Sequence, residues 1–285
     1  MHNPDVSHYT PVRSWKETAK NVGFMIAKAT EGITFVDPYL QDFVKGCEQN
    51  EIPYWLYTYL RRGNELAQAQ FLYKICQKVA GGMFQGCVLD IEEGNSEKAC
   101  IAALNWLKSK SKKTMVYIGW SDFSKYRNLL ETRGENCAWW EARYGKDNGA
   151  YNPDFPCHDG VDLHQYTSNG ICPGIPGTVD LNRLTGAKPL EWFTGKAADE
   201  KPVEEIVFPQ RGYFEIGDGY EQLKSFKPEI KKVQKIANAI TGAGLKVDGK
   251  YGEKTEAAVR KLQEIVGTKV DGLFGPKTLD AIKNY

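Results

Sequence analysis

The chain has 285 residues, 41% of them hydrophobic and 26% charged, and its net charge is +1. This length suits one large domain with a small one, and the composition is that of a globular protein. The balanced charge gives no footing for nucleic-acid binding through bulk electrostatics, and no apolar run is long enough to cross a bilayer. Neither a nucleic-acid partner nor membrane insertion is expected.

The opening "MHNPDVSHYT" has no basic region followed by an apolar stretch, so no secretory signal is read and synthesis in a cytoplasm is expected. The seven cysteines, Cys47, Cys76, Cys87, Cys100, Cys137, Cys157 and Cys172, are odd in number, scattered and without a CxxC pair. They are expected as reduced, mostly buried thiols. "PCHDGVDLHQYTSNGIC" puts Cys157, His158, His164 and Cys172 close in sequence, but the spacing fits no standard zinc pattern. No metal and no cofactor are expected. The 15 Tyr and 7 Trp suit sugar- or peptide-binding surfaces as well as cores.

From the start to about Gly186, strand-like runs alternate with helical patterns. "NVGFMIAKAT" reads as a strand. "DPYLQDFVKGCEQN" reads as a helix with Asp37 as N-cap and Pro38 in its first turn. "IPYWLYTYL" (strand), "ELAQAQFLYKICQKVA" (helix), "GCVLDIE" (strand) and "SEKACIAALNWLKSK" (helix, capped by Ser96) follow. Next come "KTMVYIGW" (strand), "SDFSKYRNLLETRG" (helix) and three strands with little helix between them, "CAWWEARYG", "GVDLHQYTS" and "GTVDLNRL". Such alternation implies parallel strands covered by helices. At this length a (β/α) barrel is favoured over an open sheet, and the shortage of late helices predicts an irregular one. No GxGxxG or GxxxxGK[ST] loop marks a nucleotide fold.

Residues 187–211 mix Pro, Lys, Glu and small residues and read as a linker. Beyond it, "VDGKYGEKT" from Val247 recurs as "VDGLFGPKT" from Val270. With the helices "KPEIKKVQKIANAI" and "EKTEAAVRKLQEIVG", this predicts a small three-helix domain over 212–285. Its expected core is Val233, Ile236, Leu245, Val259, Leu262, Ile265 and Leu279, with the repeat threonines facing inward.

Chemistry is suggested by "VLDIEE". In a strand, residues two apart share a face, so Asp90 and Glu92 point the same way. Barrel active sites lie at the C-terminal ends of the strands. Two close carboxyls push each other's proton affinities apart, as glycoside hydrolysis requires. Asp5 in "PDVSHY" and Asp180 in "GTVDLNR" end the first and last strands, which are neighbours in a barrel.

The ordered segments "DVSHY", "IAKATEG", "LDIE", "WWEARYG" and "DLHQYTSNG…VDLNR" resemble the lysozymes of glycoside hydrolase family 25 over about residues 3–186. The resemblance implies a flattened, irregular (β/α) barrel that hydrolyses the β-1,4 bond from N-acetylmuramic acid to N-acetylglucosamine. It implies Glu92 as general acid and Asp90 as its partner carboxylate, with Asp5 and Asp180 completing the catalytic set. Attack by Asp90, assistance to the substrate's N-acetyl group, and stabilisation of the cation by Asp180 all stay open. Tyr57, Tyr117, Trp140 and Gln165 resemble substrate-lining positions. Thr10, His164 and Glu141 depart from the family pattern, and are expected to touch the cleft lining.

The C-terminal repeats resemble the peptidoglycan-binding domain 1 family, which implies bacterial peptidoglycan as partner and wall anchoring. The whole then reads as an endolysin-like lysozyme, made in a host cytoplasm and acting on the wall after release. A bacterial autolysin of the same activity, a wall-binding protein with a dead barrel, and an amidase or peptidase are the competing readings. The last lacks any HExxH or visible triad.

Overall fold

The computed structural model describes residues 1–186, 188–195, 206–241 and 243–283. The chain divides into two compact units, Met1–Lys196 and Ala197–Tyr285.

The first unit runs β1 (Asn3–Val6), α1 (Trp15–Ala19), β2 (Met25–Glu31), β3 (Phe35–Val36), α2 (Leu40–Gln49), β4 (Tyr54–Tyr59), α3 (Glu65–Val79) and β5 (Phe84–Ile91). It continues with α4 (Glu97–Lys108), β6 (Thr114–Gly119), α5 (Arg127–Glu131), β7 (Cys137–Ala142), β8 (Leu163–Gly170), β9 (Val179–Leu184) and α6 (Leu190–Thr194). Eight strands close into a barrel in the order β1-β9-β8-β7-β6-β5-β4-β2, with β2 pairing back onto β1 and β3 a short antiparallel flap on β2. The strands from β2 to β8 in the wall run parallel with β1, while β9 runs antiparallel to both its neighbours.

The two faces of each strand explain the apolar runs. In β5, Cys87, Leu89 and Ile91 belong to the outer core under the helices, with Leu72 and Cys76 of α3 and Leu104 of α4. Val88 faces the barrel interior with Ile26, Met115, Ala138 and Leu163. Buried on both faces, such strands read as continuous apolar runs. Burying each large side chain contributes about 1.5–3 kcal/mol.

The base of the barrel is stoppered by α6. Phe193 stacks on Phe24 at 5.1 Å and 7°, Trp192 stacks on Trp55 at 5.3 Å, and the Trp55 indole N–H donates to the Phe193 carbonyl at 2.9 Å. These residues lie inside the expected linker 187–211, which the structure therefore corrects at both ends. Ile206 and Phe208 pack into the second unit's core, and residues 196–205 lie outside the described residues. Composition hid the two aromatics of "EWF" among charged neighbours.

Three smaller expectations also change. Helix α2 starts at Leu40, and Asp37 closes the preceding turn by accepting the Tyr39 N–H at 2.9 Å. Ser96 is the N-cap of α4, but its side chain makes no capping hydrogen bond. The helix expected over "SDFSKYRNLLETRG" shrinks to α5 after a short 3₁₀ turn, because the backbone departs from helical geometry at Tyr126, whose buried hydroxyl donates to the Asn95 carbonyl at 3.0 Å.

The second unit holds α7 (Lys227–Thr241), α8 (Glu253–Ile265) and α9 (Pro276–Lys283). Val233, Val259, Leu262 and Leu279 are buried, and Ile236, Leu245 and Ile265 are half-buried. The sequence reading missed the larger aromatic share of this core, Phe214, Tyr251 and Phe274. Each repeat turn is held by a glutamine. Gln234 accepts the Gly249 N–H at 2.9 Å and donates to Asp248, the Lys250 carbonyl and Thr255 at 3.1, 3.0 and 3.2 Å. Gln263 does the same for Gly272, Asp271, the Leu273 carbonyl and Thr278 at 2.9, 2.9, 3.0 and 3.1 Å. Gly249 and Gly272 sit at φ +76 and +73, which only glycine adopts freely. The Tyr251 hydroxyl reaches across to the Gly272 carbonyl at 2.9 Å, while Phe274 pairs with Phe214 by a backbone bridge.

Phe193→Ala is expected to destabilise the barrel by about 3–5 kcal/mol, the range for emptying a large buried aromatic site. All seven tryptophans precede residue 196, so tryptophan fluorescence in a urea titration reads the barrel alone. A loss under about 1 kcal/mol would mean the base is held by something other than α6.

Candidate active site

The apolar interior layer ends one residue pair below the strand C-termini, and polar side chains take over. Asp5, Tyr57, Asp90, Tyr117, Trp140, Gln165, Asp180 and Asn182 continue the inward-facing rows. Strand register places them: Asp90 pairs with Tyr117, Tyr117 with Trp140, and Asp5 with Asp180. Asp5 and Asp90 are buried, Asp180 is half-buried, and Glu92, just past the end of β5, is exposed. Gly94 at φ +70 turns the chain away immediately afterwards, where any side chain would meet Arg62.

Asp5 is the best-anchored acid. Its Oδ2 accepts from Gln165 Nε2 at 2.9 Å and from Asn182 Nδ2 at 2.8 Å. Gln165 Oε1 in turn accepts the Tyr117 and Tyr144 hydroxyls at 2.9 and 2.7 Å. Asn182 Oδ1 accepts the Trp140 indole N–H at 2.7 Å, and its Nδ2 also donates to the Asn3 carbonyl at 2.9 Å. Asp90 faces the Glu92 charge, and its Oδ1 has no partner among the described residues. Lys28, the cation facing Asp90, pairs with Glu31; Glu31 also binds Arg61, which binds Glu93, so charges alternate along this rim.

Crowding and burial raise the proton affinity of Asp5, Asp90 and Asp180. Burial pushes Asp90 well above the usual range, and the Glu92 charge adds to it. Burial, then the Asp5 charge, pushes Asp180 up to about 8. Asp5 rises only to about 6, because its two amide donors oppose its burial. Burial also raises the Tyr57 and Tyr117 phenols, helped by Asp90 for the first and Tyr144 for the second.

The structure brings all four predicted acids to one mouth. The expected substrate-lining residues lie on the same inward-facing rows. Trp140, Tyr117 and Gln165 are buried and spend their polar atoms on Asn182, on each other and on Asp5; Tyr57 is half-buried. Sequence reasoning missed Asn182 and Tyr144. Asn182 carried a usable signal, lying two residues from Asp180 on the same face.

Two of the three departures from the family pattern, Glu141 and His164, point away from the barrel interior, and Thr10 shares a cavity wall with Lys28. Glu141 is fully buried on the outer side of β7, where it accepts from the His158 backbone at 3.1 Å and meets its Nδ1 at 2.9 Å. His164 is buried with Nε2 on the Arg143 carbonyl, and Thr10 accepts the Ser7 N–H within its turn. The seven cysteines are free, six buried and Cys157 half-buried, and no group of three metal-ligating side chains gathers among the described residues.

A (β/α) barrel whose carboxyls converge at the C-terminal mouth has the build of a glycoside hydrolase. Residues 4–175 match the profile of glycosyl hydrolases family 25, and residues 227–282 match that of a peptidoglycan binding domain. The chain belongs to glycosyl hydrolases family 25, and it is a glycoside hydrolase. An autolytic lysozyme of Clostridium acetobutylicum is 25% identical over 258 residues, 88% of this chain and 68% of that protein. The catalytic domain of the endolysin ply40, from bacteriophage P40 of Listeria monocytogenes, is 26% identical with a TM-score of 0.60. It covers 69% of this chain and 98% of its own. A bacterial lysozyme from Streptomyces coelicolor shares the fold at TM-score 0.55 and 21% identity, over 69% of this chain and 98% of its own.

A carboxyl whose folded affinity is raised binds its proton more tightly when folded than unfolded. Its contribution to stability is greatest below the unfolded value and is lost as pH rises through the folded one. For Asp180 that window runs from its ordinary 3.8 to about 8. Asp180→Asn is therefore expected to match the parent chain near pH 4 and to exceed its stability by about 2 kcal/mol at pH 8, after allowance for screening at a half-open mouth. Melting temperatures across that range check this; a gap independent of pH would refute it.

Proposed function

We propose that the chain is an endolysin-like lysozyme. It hydrolyses the β-1,4 bond between N-acetylmuramic acid and N-acetylglucosamine and is held on the wall by its C-terminal unit. The observation that carries the reading is Glu92, solvent-facing just past the end of β5, two residues beyond the buried Asp90 of that strand. Such a pair shares a proton, and the outer member can deliver it. Glu92 protonates the glycosidic oxygen as the bond to the anomeric carbon breaks. Carboxylate charge in the mouth faces the cationic sugar, and water completes the hydrolysis, leaving a proton for Glu92.

Wall anchoring is supported by the peptidoglycan binding domain match, and by the alignment with the Clostridium lysozyme, which is long enough to span both units. Anchoring raises the enzyme's effective concentration at an insoluble substrate. The likeness to a bacteriophage endolysin domain favours a phage enzyme, made in the host cytoplasm and released to the wall; the name of the Clostridium relative favours a bacterial autolysin as the second reading.

Glu92→Gln is expected to lower hydrolysis of purified peptidoglycan by about 10²–10⁴-fold, the span of a lost general acid. The variant should still sediment with the walls. Mass analysis of the parent digest should find new reducing ends at muramic acid. Free peptide amines in their place, or equal activity of the variant, would defeat the proposal.

A further inference from the structure

Asp5 and Asp180 stand opposite each other across β1 and β9, and the surrounding donors decide which of them carries a proton. An indole N–H can only donate. Trp140 therefore fixes the Asn182 amide with its oxygen towards the indole and its nitrogen towards the Asn3 carbonyl and Asp5. Two phenols converge on Gln165 Oε1, so its nitrogen also faces Asp5. Both N–H groups end on one oxygen, Asp5 Oδ2, which must accept. Asn182, Gln165, Trp140 and Tyr117 are all buried, so water does not compete. Among the described residues no amide N–H reaches the Asp180 carboxyl.

We propose that Asp5 is the standing carboxylate of the mouth and Asp180 its proton-carrying partner, with Tyr144 a positioning residue that acts on Asp5 through Gln165. This rests on the lysozyme reading of the same site. Tyr144 comes from the loop after β7, which Asp147, at φ +48, ties to β8. Asp147 accepts from the Thr167 hydroxyl, the Ser168 N–H, the Ser168 hydroxyl and the Asn169 amide at 2.8, 2.7, 2.7 and 2.9 Å. The titratable groups facing the pair are Glu92 and Asp147 for Asp180, and Glu92 for Asp5, with the phenols of Tyr57, Tyr117 and Tyr144 around them. None is a cation, and Lys28 faces Asp90 instead. Nothing on these elements supports a second negative charge beside Asp5. The charge that meets a developing sugar cation from this side is then that of Asp5, and Asp180 offers a hydroxyl.

Asparagine mimics a protonated aspartate. At pH 6, both asparagine variants of the full chain are expected to lose kcat/KM on peptidoglycan, Asp5→Asn by at least about ten-fold more than Asp180→Asn. Tyr144→Phe should lower kcat several-fold at unchanged KM and move the acidic limb of the pH profile upward, as Asp5 loses support for its charge. The reverse ranking of the two asparagine variants, or an unmoved limb, overturns the inference. A parent without muramidase activity would instead sink the lysozyme reading. Carbon-13 NMR of aspartate carboxyls tests the assignment independently of activity. At pH 7 the signal lost in Asp5→Asn should lie at an ionised position and that lost in Asp180→Asn at a protonated one; the opposite assignment overturns it.

Discussion

One strand running against the others makes this site. β9 enters the wall between β8 and β1, so its mouth end is its beginning, and Asp180 comes to lie opposite Asp5 and Asn182 opposite Asn3. A parallel strand in that place would have needed a crossover and delivered its C-terminal residues instead. The reversal gives the barrel an inward row running from acid to amide to Leu184 as it descends. The amide in the middle is what orients charge above it. The rest of the polar mouth, through Trp140, Tyr117 and Gln165, is arranged around that one row.

Strand order and site position were largely legible. Apolar runs bounded by helical patterns gave the parallel wall, and acids at the ends of the first and of β5 gave the mouth; Asp180, expected at the end of the last strand, stands instead at the start of the antiparallel β9. The period-two rule also held more than was taken from it. If Trp140 faces inward, Glu141 must face the helices, and it does, with His158 as partner. What a sequence does not display is the direction of a hydrogen bond. Tyr117, Trp140 and Gln165 look the same in one dimension whether they meet a sugar or each other. The stopper in α6 was masked for a different reason. Two large aromatics in a polar stretch carry no periodic signal, and their burial depends on a barrel base assembled from residues 24 and 55, far away in the chain.

The mouth and the base pull in opposite directions energetically. Gathering carboxyls in a partly dry space opposes folding, and unpartnered atoms such as Asp90 Oδ1 add to the penalty. The apolar middle layer and the aromatic base supply the compensation, on the same strands but one or two residue pairs lower. Inward faces of β2, β4 and β5 thus change from stabilising to reactive within a few ångströms. Such a gradient holds reactive groups on rigid elements, which keeps their geometry within the tolerance that proton transfer needs.

In the second unit, the two glutamine-braced turns are copies in backbone and in bracing, yet they are not interchangeable. The phenol of Tyr251 tethers the first turn to the carbonyl of the second, whereas the second carries Phe274 at the equivalent place, its ring stacked on Phe208 at 6.4 Å. Replacing a hydroxyl with a hydrogen closes the series. A third copy appended to this pair would find no phenol waiting to receive it, so duplication here has an end written into its side chains, much as terminal repeats seal longer arrays.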